Sequence, residues 1–512
     1  MSIQLTQQAH KKAIHELGFL KNVLLISSST GISRVLGLVR DMVIAYLFGA
    51  SRAYDAYLIA FMIPHMLRRL LAEGALSSAF IPVFTEHLKR DGPNRAARFA
   101  NTVVTTALLF FPGLVALGVL AAPVYVPFFA DGFSADQLKL TIQLTQITFP
   151  FIALVGIAAI FMGVLNSYER FFAPAFAPVL FNVGVIVSAF SLMSFFTEPI
   201  YALAVGVLLG GLGQLLFQMP YLRDHWQYRP MLNLHDESLH KLLRLMLPSV
   251  VGLTIFQINT VVDNKLASHL AEGSVSVMQY AIRLFQLPLG IFAVSVGSVI
   301  LPRLSAHAAT RDVSALAQTL REGMKFSLFI LLPATAGLYA LAEPIIQLLF
   351  EHGNFTPDDT RLTVYALLHY LPGLIGYALA YVLTRAFYAL QDTRTPLFVG
   401  AVTVALNVVL DYALVGPMGV GGLALATSLA GIANALVLLL ILRRTLPHIE
   451  FLDRDAAKML GTAVGMGIAT YLCAQWLSPL GEFLSVGLSI ALGAGLYFSL
   501  AWLGGFFTVP KR

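Results

Sequence analysis

The chain has 512 residues, 57% of them apolar and 12% charged, with a mean hydropathy of +0.77. A soluble chain carries about 25% charged residues. Half that value, with long apolar runs recurring from end to end, excludes a soluble fold and points to an all-α polytopic membrane protein, and the length of the runs excludes a β-barrel, whose strands are short and alternate.

In chain order, "MSIQLTQQAHKKAIHELGF" opens the sequence. It is polar and has no short apolar core with a cleavage site behind it, so residues 1–21 read as a cytoplasmic tail and not a signal peptide. About fourteen spans follow. They begin near Asn22, Tyr54, Phe99, Leu140, Pro174, Tyr201, Leu245, Ser274, Phe326, Leu362, Thr395, Val420, Ala456 and Phe483. The expected organisation is a first lobe of six spans over 22–222, a cytoplasmic loop over 223–244 and a second lobe of six spans over 245–444. Residues 445–512 then hold two further spans and a cytoplasmic C-terminus. The single Cys473 lies inside an apolar run and can form no intrachain disulfide and no metal cluster. The loops are too short for a soluble catalytic domain.

Basic residues test this topology, because they favour the cytoplasmic side. With the N-terminus inside, only Arg52, Lys139 and Arg361 fall on outer loops. Arg34, Arg40, Arg68, Arg69, Lys265, Arg283 and Arg385 fall within spans, and the remaining Lys and Arg all fall on the inner side. The same bias explains the net charge of +6 and the pI near 9.3 without nucleic acid.

Two stretches are alike. "PFIALVGIAAIFMGVLNSYERFFAP" runs from Pro150 to Pro174, and "PGLIGYALAYVLTRAFYALQDTRTP" from Pro372 to Pro396. Each carries a span into a short polar loop and the next span. The shift between them is an even number of spans, which predicts two parallel-related lobes with a site between the halves. The plain alternative is that proline ends helices at loops.

The charged residues within spans are costly. An Arg at the centre of a span costs about 2.5–3.5 kcal/mol on insertion scales, so Arg34, Arg68 and Arg283 together cost on the order of 10 kcal/mol if they face lipid. Either they snorkel or pair with Asp41, Asp55 and Glu73, or they face a hydrated chamber that takes an anion. Guanidinium forks suit phosphate oxygens. Arg69 and Glu73 stand at i,i+4 and fit a plain ion pair. Arg40 is a candidate partner for Asp55, and Arg385, near the inner end of its span, is expected to snorkel.

A second polar group comprises Asp263, Asn407, Asp411 and Thr427, all placed in the outer third of their spans by this topology. Asn407 and Asp411 share a helix face. Hard oxygens from three spans suit a small cation such as Na⁺, or Asp411 could carry a proton. The competing reading is that Lys265 neutralises an acid there. The His residues show no metal spacing, and "VGPMGVGGLALA" follows no strand, so it is a turn and close helix packing instead of a phosphate loop.

"SRVLGLVRD" (33–41), "DAYLIAFMIPHMLRRLLAEGALSSAFIPVF" (55–84) and "LNSYERFFAPAFAPVLFN" (165–182) resemble the bacterial lipid II flippase family, MviN/MurJ, of the multidrug/oligosaccharidyl-lipid/polysaccharide exporter superfamily. The resemblance covers nearly the whole chain beyond its first twenty residues. It implies two six-helix lobes around a cationic cavity, alternating access, and transport of the undecaprenyl-pyrophosphate-linked peptidoglycan precursor, lipid II, from the cytoplasmic to the periplasmic leaflet of the inner membrane. It places cavity arginines on Arg34, Arg40, Arg68 and Arg283, with Asp41, Asp55 and Glu73 among the important acids. A cation site of the family falls on Asp263, Asn407, Asp411 and Thr427, and the last two spans would line a groove for the polyprenyl tail. Where some relatives carry a Glu three residues after the Arg of span eight, this chain has Gln286. No cofactor is expected, only Na⁺ or proton coupling. The expected partners are lipid II, membrane lipid and the cell-wall synthesis machinery. Rival readings are a flippase for another polyprenyl-linked sugar, a cation-coupled drug exporter, which would need an acidic cavity, and an integral membrane enzyme, which would need catalytic residues in a sizeable loop.

Overall fold

The computed structural model describes residues 2–446 and 454–506; the side chains of residues 2–24, 71–73, 75 and 256 lie outside the description. Among the described residues the chain is helical, with twelve helices long and apolar enough to cross a membrane. In order they match the third to the fourteenth expected spans. The first two spans, which carry most of the intramembrane charge, are helical as well.

In the first part of the chain α1 (Ser2–Phe48) is followed by α2 (Arg52–Arg68), a π-helical stretch (Arg69–Leu76) and α3 (Ser77–Arg90). Then come α4 (Pro93–Phe129), α5 (Ala135–Thr148), α6 (Phe151–Ser167), α7 (Phe172–Leu192), α8 (Tyr201–Leu222) and α9 (Glu237–Ala267). The second part holds α10 (Ser274–Pro288), a π turn (Leu289–Ala293), α11 (Val294–Ala309), α12 (Val313–Phe350), α13 (Pro357–Ala389), α14 (Arg394–Met418), α15 (Val420–Thr445), α16 (Arg454–Leu477) and α17 (Glu482–Leu503).

The chain divides into two compact units, one of Met1–Ile44 with Arg52–Gln257, the other of Ala45–Ser51 with Ile258–Arg512. In the first, α7 and α8 lie so close that a Cβ on Gly184 would stand 2.6 Å from the Gly210 Cα. Bare backbone lets two apolar helices meet at van der Waals distance, which is what drives helix association in lipid. The polar segment after α8 is tied to α4. The Trp226 indole N–H and the Arg229 backbone N–H both donate to Asn101 Oδ1 at 3.1 Å, and the Met231 N–H donates to Thr105 Oγ1 at 3.1 Å. Beside it Lys241 donates to Glu86 at 2.6 Å, and His87 Nε2 lies 2.8 Å from the Ser238 hydroxyl. Bonding to the Lys241 ammonium holds the Glu86 carboxyl below its usual range.

In the second unit, α11, α12, α13, α15, α16 and α17 build one apolar core around Leu320, Val382, Leu442 and Ala501. The first turn of α13 has a full capping box. Thr356 accepts from the Asp359 N–H at 3.2 Å, and Asp359 accepts from the Thr356 N–H at 2.8 Å. In α12, Leu341 leaves helical geometry (φ −114°, ψ 15°) three residues before Pro344, whose ring and missing N–H break the ladder there.

The repeat read from Pro150 and Pro372 is visible in how its helices end. The offset that carries one proline onto the other carries Glu169 onto Gln391, and these two have φ of 59° and 60°. Arg170 N–H donates back to Leu165 O at 2.9 Å, and Asp392 N–H donates to Phe387 O at 2.9 Å. Both are Schellman-type endings that use a non-glycine residue in the left-handed region. The prolines themselves differ in effect. α5 and α6 break at Pro150, whereas α13 runs through Pro372.

Candidate functional site

On α1, Gly37 faces α7, where a Cβ would sit 3.9 Å from the Asn182 amide. One turn on, Arg40 is held from two sides. Its Nε and Nη2 donate to Asp41 Oδ1 at 3.0 and 2.7 Å, and its Nη1 donates to Asn182 Oδ1 at 3.1 Å. The Arg40 Cζ lies 5.8 Å from the Phe181 ring centre. Asn182, only 6% exposed, spends its own Nδ2 on the Ser33 carbonyl at 3.1 Å. One amide thus ties α7 to α1 and fixes the plane of the guanidinium. The carboxylate that takes the Arg40 fork is Asp41, and not Asp55 as the spacing allowed; with Nε and Nη2 on Asp41 and Nη1 on Asn182, every nitrogen of the guanidinium is engaged.

Asp41 and Asp55 are buried at 5% and 2% exposure. Arg34 is exposed on α1, Arg68 half-buried at the end of α2, and Arg283 half-buried on α10 of the second unit, with Gln286 exposed one turn later. Arg69 opens the π-helix; the Glu73 side chain, and with it the expected Arg69–Glu73 pair, lies outside the described residues.

In the second unit Asn407 and Asp411 are fully buried, and Asn407 Nδ2 donates to Asp411 Oδ1 at 3.0 Å. The Asp263 and Asp411 carboxyls interact electrostatically. Asp263 Oδ1, Asn407 Oδ1, Asp411 Oδ2 and Thr427 Oγ1 are all buried without a hydrogen-bond donor. Buried acceptors left in this way are costly, and either a proton on one acid or a small cation would satisfy them. Oxygen-only donors on three helices (α9, α14 and α15) fit a hard cation. Asn259, one turn before Asp263 on α9, adds another buried, unsatisfied Oδ1 that the sequence reading missed.

A family model described as "Lipid II flippase MurJ" matches residues 44–490. The chain belongs to this family. Among its relatives, the Vibrio cholerae protein named "Probable lipid II flippase MurJ" is 37% identical over 82% of each chain. The Burkholderia cenocepacia "Lipid II flippase MurJ" is 31% identical over 96% of this chain and 98% of its own. Among solved structures, "Lipid II flippase MurJ, inward closed conformation" has a TM-score of 0.80 at 31% identity and covers 94% of this chain and 98% of its own. An inward-facing multidrug resistance MATE family transporter of the MOP superfamily has a TM-score of 0.70 at 16% identity, covering 83% of this chain and 98% of its own, a likeness of fold alone.

Family members are named as transporters and not enzymes, and the chain is a multi-pass membrane protein. Within the MurJ family match the sequence reading passed over Asn182 as a site residue. Its signal was a lone amide at the end of "FAPAFAPVLFN", in an otherwise apolar helix.

Proposed function

We propose that this chain moves lipid II, an undecaprenyl-pyrophosphate-linked disaccharide-peptide, from the cytoplasmic to the periplasmic leaflet of the inner membrane by alternating access. The observation that carries the reading is the family match over residues 44–490, together with relatives named lipid II flippases over nearly the whole chain. The chemistry agrees with it. A diphosphate cannot shed its water into hydrocarbon without a cost of tens of kcal/mol in the Born limit. Arg34, Arg68 and Arg283 would replace that hydration, with Arg40, saturated by Asp41 and Asn182 in this structure, joining them only on release from that pair, and with Asp41, Asp55 and Glu73 setting the local charge balance.

The two parallel lobes over 22–222 and 245–444 carry these side chains in this reading, both termini are cytoplasmic, and α16 and α17 provide the groove for the polyprenyl tail. Direction needs differential affinity for some second ligand in the two states. Asp263, Asn407, Asp411 and Thr427 are assigned as the site for Na⁺ or a proton, on the strength of their unsatisfied buried oxygens. Bound there, a cation would supply positive charge that binds the ionised acids together.

Depletion of the protein in its host, followed by assay of which leaflet holds labelled lipid II, tests the reading. Lipid II is expected to accumulate on the cytoplasmic side and to be cleared by wild type but not by Arg283→Ala. An unchanged leaflet distribution on depletion would remove the flippase assignment.

A further inference from the structure

Arg385 was expected to snorkel. It sits one turn before the end of α13, and an arginine that only needs to leave hydrocarbon extends towards water. In the structure it lies against tyrosines of its own helix. Its Cζ lies 4.4 Å from the Tyr381 ring centre and 5.7 Å from that of Tyr388, and its Nη2 donates to the Tyr381 hydroxyl. Its Nε is buried with no acceptor, and among the described residues it has no carboxylate partner. α11 lays bare backbone alongside. A Cβ on Gly297 would run into the Tyr381 ring and stand 3.3 Å from Arg385 Nε.

The fold does not require this arrangement. The repeat offset places Gly163, Ala159 and Asn166 of α6 where α13 has Arg385, Tyr381 and Tyr388, and α6 nevertheless ends in the same Schellman geometry. A guanidinium stacked on two rings gives up rotamer freedom while keeping most of its donors unused. That is preorganisation for a planar set of anionic oxygens.

We propose that Arg385, cradled by Tyr381 and Tyr388, is a further binding residue for the diphosphate of the transported lipid, a docking point on the inner side of the second unit. This rests on the flippase reading and its topology. The free edge of the guanidinium would take the phosphate oxygens, while the tyrosines hold the fork in place. Bulk anionic phospholipid carries the same phosphate chemistry, and the test separates the two.

The full chain in nanodiscs of neutral lipid is titrated with lipid II and, separately, with phosphatidylglycerol. Arg385→Ala is expected to weaken lipid II binding about tenfold, the order set by one charge-assisted hydrogen bond. Tyr381→Leu should act in the same direction. Arg385→Lys, which keeps the charge and loses the fork, should fall in between and guards against a folding defect. Phosphatidylglycerol binding should not change. Lipid II binding by Arg385→Ala equal to wild type, or an equal loss for phosphatidylglycerol, overturns the cradle. If Arg283→Ala weakens lipid II binding while Arg385→Ala does not, the cradle alone falls. A wild-type chain that ignores lipid II removes the flippase reading and the cradle with it.

Discussion

Arg40 and Arg385 pose the same problem, a guanidinium on a helix among apolar neighbours, and the two regions treat it differently. At α1 and α7 the fork is saturated by the Asp41 carboxylate and the Asn182 amide, with side-chain exposures of 14% for Arg40 and 7% for Asp41. At α13 the fork is stacked on tyrosine rings, with a buried Nε left over. The first arrangement satisfies a charge; the second orients a charge and leaves it chemically open. Ion pairs and aromatic stacking are therefore not interchangeable means of keeping arginine in a membrane protein, because only the pair consumes the hydrogen-bonding capacity that a phosphate would use.

The largest effect is expected at the saturated end. Asp41→Ala leaves a buried guanidinium without its carboxylate and should destabilise the first unit by about 3 kcal/mol or more, measured as lost thermal stability of the purified protein. Asp41→Ala together with Arg40→Leu should recover part of that loss. Full stability in the single variant would mean that water already serves Arg40. Next comes Asn182→Ala, expected to cost about 1–3 kcal/mol by freeing both the Ser33 carbonyl and one edge of Arg40; Asn182→Gln should not restore it, since the longer side chain misplaces the amide.

In the second unit, Asp411→Ala should abolish the dependence of lipid II flipping on whichever of Na⁺ or pH drives it, assayed in proteoliposomes. Flipping that responds to Na⁺ and pH as wild type does would rule out the cation assignment. At the aromatic end the expected effect on stability is smaller. Tyr381→Phe loses one hydrogen bond but keeps the stack, a change of about 1 kcal/mol.

The smallest effect lies in the Glu86–Lys241 pair. The folded carboxyl is depressed by Lys241, so its contribution is present above the unfolded carboxylate value of about 4.3 and fades as pH falls through the lower folded one. A thermal scan from pH 6 to pH 3 should show a slightly shallower acid loss in Lys241→Ala than in wild type, and identical curves would mean the pair is fully screened.

Span positions were legible because a run of apolar residues can satisfy its backbone in lipid only as a helix. The repeat was legible as well, since matching prolines and polar loops mark corresponding helix ends, and Glu169 and Gln391 end their helices alike. Asn407 with Asp411 could be read because i,i+4 spacing brings side chains together within one helix. Asn182 could not be assigned its role, because its partner Arg40 lies on another helix and no local rule links them. The π-helix at Arg69–Leu76 was equally hidden.

What the sequence determined by itself is the set of helices, their charge asymmetry and their family, since each follows from the cost of exposing backbone or charge to hydrocarbon. Tertiary packing alone decided which intramembrane charges are spent and which remain available. That outcome depends on what a neighbouring helix brings up to the guanidinium: α7 brings the Asn182 amide to 3.1 Å from Arg40, whereas α11 brings only the bare backbone of Gly297 to Arg385, whose tyrosine partners lie on its own helix.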